Sequence, residues 1–240
     1  MRGIRLLLTL IALIAALEML HTLVPQTHST SQYPSSPSAP IVGVSEPEVT
    51  DPPLDIGKTF TVDITLKQVI DLYTWQAGMT FNASILEATV FSEGNFLKQG
   101  GTTLWVTGTI DNANGVIGYH AASLVGNATG VSGNGALGTI VFVVEQYGNS
   151  TLHLTNVILL DSTLSEFPDI VTNDFTLRIK IPGDINGDDQ ANVVDLNSLG
   201  KVYGSTPTDP NWNPDADINQ DGVIDGSDLA LLSDNYGKAV

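Results

Sequence analysis

DINGDDQANVVDLNSLGKVYG, residues 184–204, returns 33 positions later as DINQDGVIDGSDLALLSDNYG, residues 217–237, and this repeat decides how the last quarter of the chain folds. Asp184, Asn186, Asp188, Asn192 and Asp195 map onto Asp217, Asn219, Asp221, Asp225 and Asp228. The register continues through Leu196/Leu229, Leu199/Leu232, Tyr203/Tyr236 and Gly204/Gly237. Side-chain oxygens at positions 1, 3, 5, 9 and 12 of a twelve-residue loop, with the carbonyl of position 7, form the donor pattern of a calcium cage. The expected ligands of the first loop are Asp184, Asn186, Asp188, the carbonyl of Gln190, Asn192 and Asp195. Those of the second are Asp217, Asn219, Asp221, the carbonyl of Val223, Asp225 and Asp228, so two Ca2+ ions are expected. The chain turns sharply at position 6. Gly222 suits that turn, while Asp189 takes a left-handed conformation only at some cost. Position 8 packs between paired loops, a role that Ile224 fills and Ala191 fills only in part. On both counts the first site is expected to be the weaker.

Each loop runs into an apolar-periodic stretch, Val193 to Tyr203 and Gly226 to Tyr236, closed by the glycine that usually follows a helix end. No entering helix precedes the first loop; a β-like run ends there at Pro182-Gly183. A duplicated loop–helix pair with aspartate at position 12 resembles the dockerin type-I-like module, and the resemblance covers residues 182–240. It implies a non-catalytic plug that binds cohesin domains in extracellular assemblies. It also implies that loop positions 10 and 11 meet the partner: Val193 and Val194 in the first copy, Gly226 and Ser227 in the second. The copies do not match there, which puts in doubt the two binding orientations that matching pairs would allow.

At the other end, Arg2 and Arg5 precede an apolar run from Leu6 to Leu17 that stops at Glu18. A basic start and a short apolar core match a secretory signal, and the run is too short to cross a bilayer of about 30 Å. Without a clean small-x-small cleavage site, residues 1–24 are read as a signal peptide or an N-terminal anchor. Residues 25–40, PQTHSTSQYPSSPSAP, form a Pro/Ser/Thr linker. Asn82, Asn127 and Asn149 open Asn-x-Ser/Thr acceptors for N-glycosylation. There is no cysteine, so no disulfide contributes. The net charge of −17 offers no basic patch for nucleic acid, and much of it lies in the tail as ligand supply. A secreted or cell-surface location is expected.

Between residues 41 and 181 the period changes to two. Phe60, Val62, Ile64 and Leu66 alternate with polar neighbours, and Trp75, Ala77, Met79 and Phe81 do the same. Leu104 to Val106 and Val116 to Tyr119 flank Asn114-Gly115, which reads as a hairpin turn. Runs at Ile140 to Val144, Leu152 to Leu160 and Phe175 to Ile181 complete the pattern of a β-sandwich. Gly57 to Val62, Leu72 to Phe81, Phe81 to Glu87 and Gly135 to Val144 resemble the corresponding strands of a cohesin domain. The whole is expected to be mainly β with a small α tail: a cohesin-like jelly-roll sandwich followed by a dockerin.

No active site assembles in the sequence. His120 and His153 lie in strand-like runs with no nucleophile elbow, and Glu87, Glu93, Glu145 and Asp161 are scattered among strand ends. Trp75 is expected in the core and Trp212 between the two repeats. Trp105, Tyr119 and Tyr73 would favour sugar binding if they shared one exposed surface. The combined resemblance implies a non-catalytic adaptor of a cellulosome-like scaffold, linked to polysaccharide-degrading complexes. Its sandwich would meet dockerin-bearing proteins and its tail cohesin-bearing ones, with self-association head to tail also open. A calcium-stabilised carbohydrate-binding module, with polysaccharide as partner, and a cell-surface structural module are the alternatives.

Overall fold

The computed structural model describes residues 39–49, 53–126 and 128–240. The expected signal or anchor, most of the Pro/Ser/Thr linker and Asn127 lie outside them. Among the described residues no helix is long and apolar enough to cross a membrane.

Among the described residues eleven strands precede two α-helices: β1 (Ile41–Val44), β2 (Glu48–Val49), β3 (Thr59–Thr80), β4 (Leu86–Glu93), β5 (Thr103–Val106), β6 (Ile110–Asp111), β7 (Val116–Leu124), β8 (Val131–Val144), β9 (Gly148–Asp161), β10 (Val171–Asn173), β11 (Phe175–Ile179), α1 (Val193–Val202) and α2 (Gly226–Asn235). The strands expected at Gly57 to Val62 and Leu72 to Phe81 are one strand. β3 runs for 22 residues, with its first half in one sheet and its second half in the other. Its first half pairs with β8 on one side and with β1 and β2 on the other, while β4 adds beyond β8 and β10 beyond β1. Its second half pairs with β7 and β9, extended by β5 and β6 on β7 and by β11 on β9. The crossing falls where Gln68 (φ 60) and Asp71 (φ 65) are left-handed and the register shifts. Such irregularities bend a strand and let it change sheets.

The alternation in β3 puts Phe60, Val62, Ile64, Leu66, Trp75, Ala77 and Met79 into the core between the sheets, with Phe60 stacked on Phe142 at 5.5 Å. The even positions of its second half are also buried. Thr74 bonds Ser123 at 2.7 Å and Gln76 Nε2 donates to the carbonyl of Asn156 at 3.2 Å. Such pairing satisfies the two hydroxyls and Gln76 Nε2, while Gln76 Oε1 is buried without a partner. The Asn114-Gly115 turn joins β6 to β7, not β5 to β7: Ile110 faces Ile117, while Leu104 faces Ser123. The residues between β5 and β6 let the short β6 take the position next to the turn, which local turn chemistry alone does not reveal.

The tail has its own small core of Ile185, Leu199, Ala216, Ile218, Ile224 and Leu232, with Trp212 packed at its edge. Its two repeats are crossed. Ile224 exchanges backbone bonds with Gly204 and Ser205 of the first repeat, and Ala191 does the same with Gly237 and Lys238 of the second. The position-8 residues thus tie each loop to the end of the other repeat.

Candidate metal centres

The two loops repeat one another in all but one of their side-chain bonds to the backbone: Asp184 also takes the amide of Gly187, whereas the amide of Gln220 turns to the Asp217 carbonyl. Asp195 Oδ1 accepts the amides of Ile185 (2.9 Å) and Asn186 (3.1 Å), and Oδ2 accepts that of Asn192 (2.9 Å). Asp228 accepts those of Ile218 (2.7 Å), Asn219 (3.2 Å) and Asp225 (2.9 Å). At the turn, Asp184 takes the amides of Gly187, Asp188 and Asp189, and Asp217 those of Asp221 and Gly222. Asn186 and Asn219 each accept from the residue at position 5 and donate Nδ2 to its carboxylate. The amides of Gln190 and Val223 are held by Asp188 and Asp221. Asn192 and Asp225 cap the helices through the amides of Val194 and Ser227. Positions 9 and 12 are therefore also N-cap and N3 of a capping box. The ligand spacing and the start of the helix are one local device.

The first and last carboxylates of each loop are buried: Asp184 and Asp217 nearly so, Asp195 and Asp228 fully. Among the described residues no three Asp, Glu, His or Cys side chains are drawn together as a preformed cage. The carboxylates are engaged with loop amides instead. Each of their oxygens has a second lone pair, so the same atoms can accept an amide and hold a hard cation. Paired buried carboxylates among oxygen-only neighbours fit Ca2+, which supplies the positive charge that amide dipoles lack.

Each loop turns through left-handed residues at positions 4 and 6: Gly187 (φ 75) and Asp189 (φ 64) in the first, Gln220 (φ 59) and Gly222 (φ 88) in the second. Each loop therefore carries one glycine and one strained residue, and glutamine tolerates this region less readily than aspartate. Backbone strain gives no reason for the first site to be the weaker.

A different asymmetry separates the sites. The outward face of β11 carries Arg178, and Lys180 follows on the same side two residues later. Arg178 Nη2 donates to Asp189 Oδ1 (2.8 Å) and the carbonyl of Gly187 (3.2 Å) and lies 3.8 Å from Asp184 Oδ2. The hydrogen bond it donates to Asp189 holds this guanidinium above its ordinary pKa, opposed by burial and helped less by the charges of Asp189 and Asp184. Lys180 Nζ pairs with Asp215 Oδ1 at 3.0 Å, in the connector ahead of the second loop. Among the described residues no such ion pair reaches the second loop's ligands. Sequence reading missed both cations. The available signal was the alternation of β11, which points Thr176, Arg178 and Lys180 to one side just before the chain enters the first loop.

Val193 and Val194 are 62% and 49% exposed at the start of α1. Gly226 and Ser227 also lie at the surface, and a Cβ on Gly226 would stand 3.7 Å from the Tyr203 hydroxyl. Asn82 and Asn149 are exposed side by side, Asn82 Nδ2 lying 3.4 Å from the carbonyl of Asn149. His153 bonds Asp174 at 2.6 Å on the surface. His120 is buried with its ring 4.1 Å from that of Phe91. Tyr73 is buried, its hydroxyl donating to the carbonyl of Gly126. The half-buried Trp105 leans on Trp75, Phe91 and His120. Tyr73, Trp105 and Tyr119 do not form an exposed strip.

Residues 182–235 match the model of the dockerin type I domain. Type I dockerins bind calcium, and the match supports Ca2+ as the ion of these loops. No curated protein matches the chain. Solved structures similar to it include a non-cellulosomal cohesin from the hyperthermophilic archaeon Archaeoglobus fulgidus (15% identity, 59% of this chain and 91% of that one, TM-score 0.45). The third cohesin of ScaC from Acetivibrio cellulolyticus, solved in complex with the ScaB dockerin, is similar at 17% identity, 58% of this chain, 98% of that one and a TM-score of 0.46. The second type II cohesin module of the adaptor ScaA scaffoldin from the same organism stands at 10% identity, 58%, 88% and 0.48.

Proposed function

We propose that this chain is an exported, non-catalytic adaptor whose tail, residues 182–240, is a calcium-dependent protein-binding plug and whose sandwich, residues 41–181, is a binding module for other proteins. The observation that carries this reading is the duplication of two complete loops, alike in all but one of these bonds, within the segment that matches the dockerin type I domain. Asp184, Asn186, Asp188, Gln190, Asn192 and Asp195 hold one Ca2+ ion, and Asp217, Asn219, Asp221, Val223, Asp225 and Asp228 hold the second. Four buried carboxylates repel one another without the ions, so calcium couples to the folding of the tail. Val193 and Val194 provide the apolar contact with a cohesin-bearing partner, while the sandwich receives dockerin-bearing proteins. With one plug and one socket per chain, copies link head to tail in a heterologous assembly. Tyr73 and Trp105, both turned inward, leave the sugar-binding alternative without an aromatic platform.

Sedimentation velocity of residues 25–240 over a concentration series, in calcium and in EGTA, tests the assembly. A larger species that needs calcium and disappears with Val193→Asp plus Val194→Asp is the expected result. Growth in size that ignores both calcium and this substitution would overturn the plug assignment. A monomer in both conditions removes self-association alone and directs the search to foreign cohesin-bearing partners.

A further inference from the structure

The two tail repeats share their loops, their caps and their crossed backbone pairing, yet they differ where the second one faces the sandwich. Leu231, Asn235 and Lys238 stand where the first repeat has Ser198, Val202 and Ser205. Backbone geometry does not require the exchange, since Ala191 N bonds the carbonyl of Lys238 (3.0 Å) just as Ile224 N bonds that of Ser205 (3.1 Å). The side chains have different work in the two places. Ser198 and Ser205 turn back on the carbonyls of Val194 and Val202 within their own repeat.

In the second repeat the side chains join the sandwich. Tyr147, immediately before β9, donates its hydroxyl to Asp55 Oδ1 at 2.6 Å and lies 3.2 Å from Asn235 Oδ1. Lys238 Nζ donates to Asn235 Oδ1 (2.6 Å) and to the Tyr147 hydroxyl (3.3 Å), and sits 5.6 Å above the Tyr147 ring. Asn235 Nδ2 closes the set on the carbonyl of Leu231 at 2.8 Å. Tyr147 and Asn235 are only 8% and 3% exposed, so these are buried, mutually satisfied polar groups, the kind that fix one arrangement. Burial, then Asp55, pushes the Tyr147 phenol well above its ordinary pKa, keeping it a donor. Leu231 and Ser227 face Pro53, Asp55 and Lys58 across a cleft. At Gly183 (φ 97), a Cβ would lie 2.9 Å from Leu232 Cα, which brings the connector directly onto α2.

We infer that Asn235 and Lys238, with Leu231 beside the joint, dock the second repeat onto the sandwich of its own chain, which leaves the exposed start of α1 in the first repeat, whose loop touches the sandwich only through Arg178 among the hydrogen bonds above, to meet an outside protein in a single orientation. The consequence for outside partners rests on the plug assignment above; the docking itself does not. Ser227, though exposed, shares a cleft with Pro53 and Asp55 of the sandwich, whereas Val193 and Val194 line no such cleft.

The test needs no partner. The chain has no cysteine, so Thr89→Cys and Asn197→Cys place one spin label on the sandwich and one on α1 of the full chain in calcium. Electron–electron resonance is expected to give one narrow distance distribution. Giving the second repeat the first repeat's residues, Leu231→Ser, Asn235→Val and Lys238→Ser together, is expected to broaden that distribution at least twofold. Should that triple variant fold poorly, Tyr147→Phe alters the joint from the sandwich side and is expected to broaden it to a lesser degree. A broad distribution in the parent chain, or a narrow one retained in the variants, overturns the inference. Calcium stoichiometry measured on the same samples separates this outcome from a failure of the plug assignment, because none of the substituted residues is a proposed ligand.

Discussion

Replacing Asp228 by asparagine removes one charge and one acceptor from a fully buried position. In the parent chain its two oxygens take three backbone amides, from Ile218, Asn219 and Asp225, at 2.7, 3.2 and 2.9 Å. The best asparagine rotamer keeps Oδ1 on the first two amides and turns Nδ2 toward the amide of Asp225, so two donors face each other. The stranded amide costs about 1–3 kcal/mol, and each remaining bond falls from charge-assisted to neutral strength, about 1 kcal/mol apiece. The sum is roughly 3–5 kcal/mol before any ion is considered. Small domains have little stability in reserve, so in EGTA the tail of Asp228→Asn is expected to be unfolded at room temperature. In calcium the second loop loses its position-12 carboxylate. Extracellular sites of this kind bind at about 0.1–1 mM, so a tenfold loss, to about 1–10 mM, leaves the site half-filled at most at about 1 mM calcium and too weak to register as a second step. Isothermal titration is then expected to report one ion per chain in place of two, with the helical signal at 222 nm melting earlier. Two ions at unchanged affinity, with an unchanged melt, would falsify the assignment of Asp228 as both ligand and cap.

Arg178→Gln removes the cation beside Asp184 and Asp189 and is expected to tighten calcium at the first loop by about three- to tenfold at low salt. The gain should shrink at high salt, and titration at two ionic strengths reads it. His120 is buried, and burial lowers its pKa below 6.5, partly opposed by the Gly118 carbonyl. The folded sandwich therefore favours the neutral ring, and its stability is fully present above pH 6.5 and declines as pH falls from there through the lowered pKa. His120→Phe is expected to flatten the dependence of the sandwich melting temperature between pH 7 and 5; an unaltered slope would place the effect elsewhere.

What could be read in advance followed the range of the interactions. The loop turns and the helix starts at Val193 and Gly226 lie within a dozen residues of one another, and the 33-residue repeat states each of them twice. Gln220 at position 4 went unread because nothing in its own neighbourhood marks a left-handed residue. The burial of Trp75 and the apolar face of β3 likewise follow from a period of two. Asn114-Gly115 correctly marked a turn, but not which strands it joins.

By itself the sequence determined two loop–helix units and a stack of short strands, because caps, turns and alternation depend on neighbours along the chain. Only the tertiary structure decided that β3 belongs to both sheets, that Arg178 rests on the first loop, and that Tyr147 meets Asn235 and Lys238 across some ninety positions of sequence. Those contacts arise when separate faces are buried against each other. Two loops built on one repeat thereby acquire different surroundings, one beside a guanidinium and the other beside a helix that meets the sandwich.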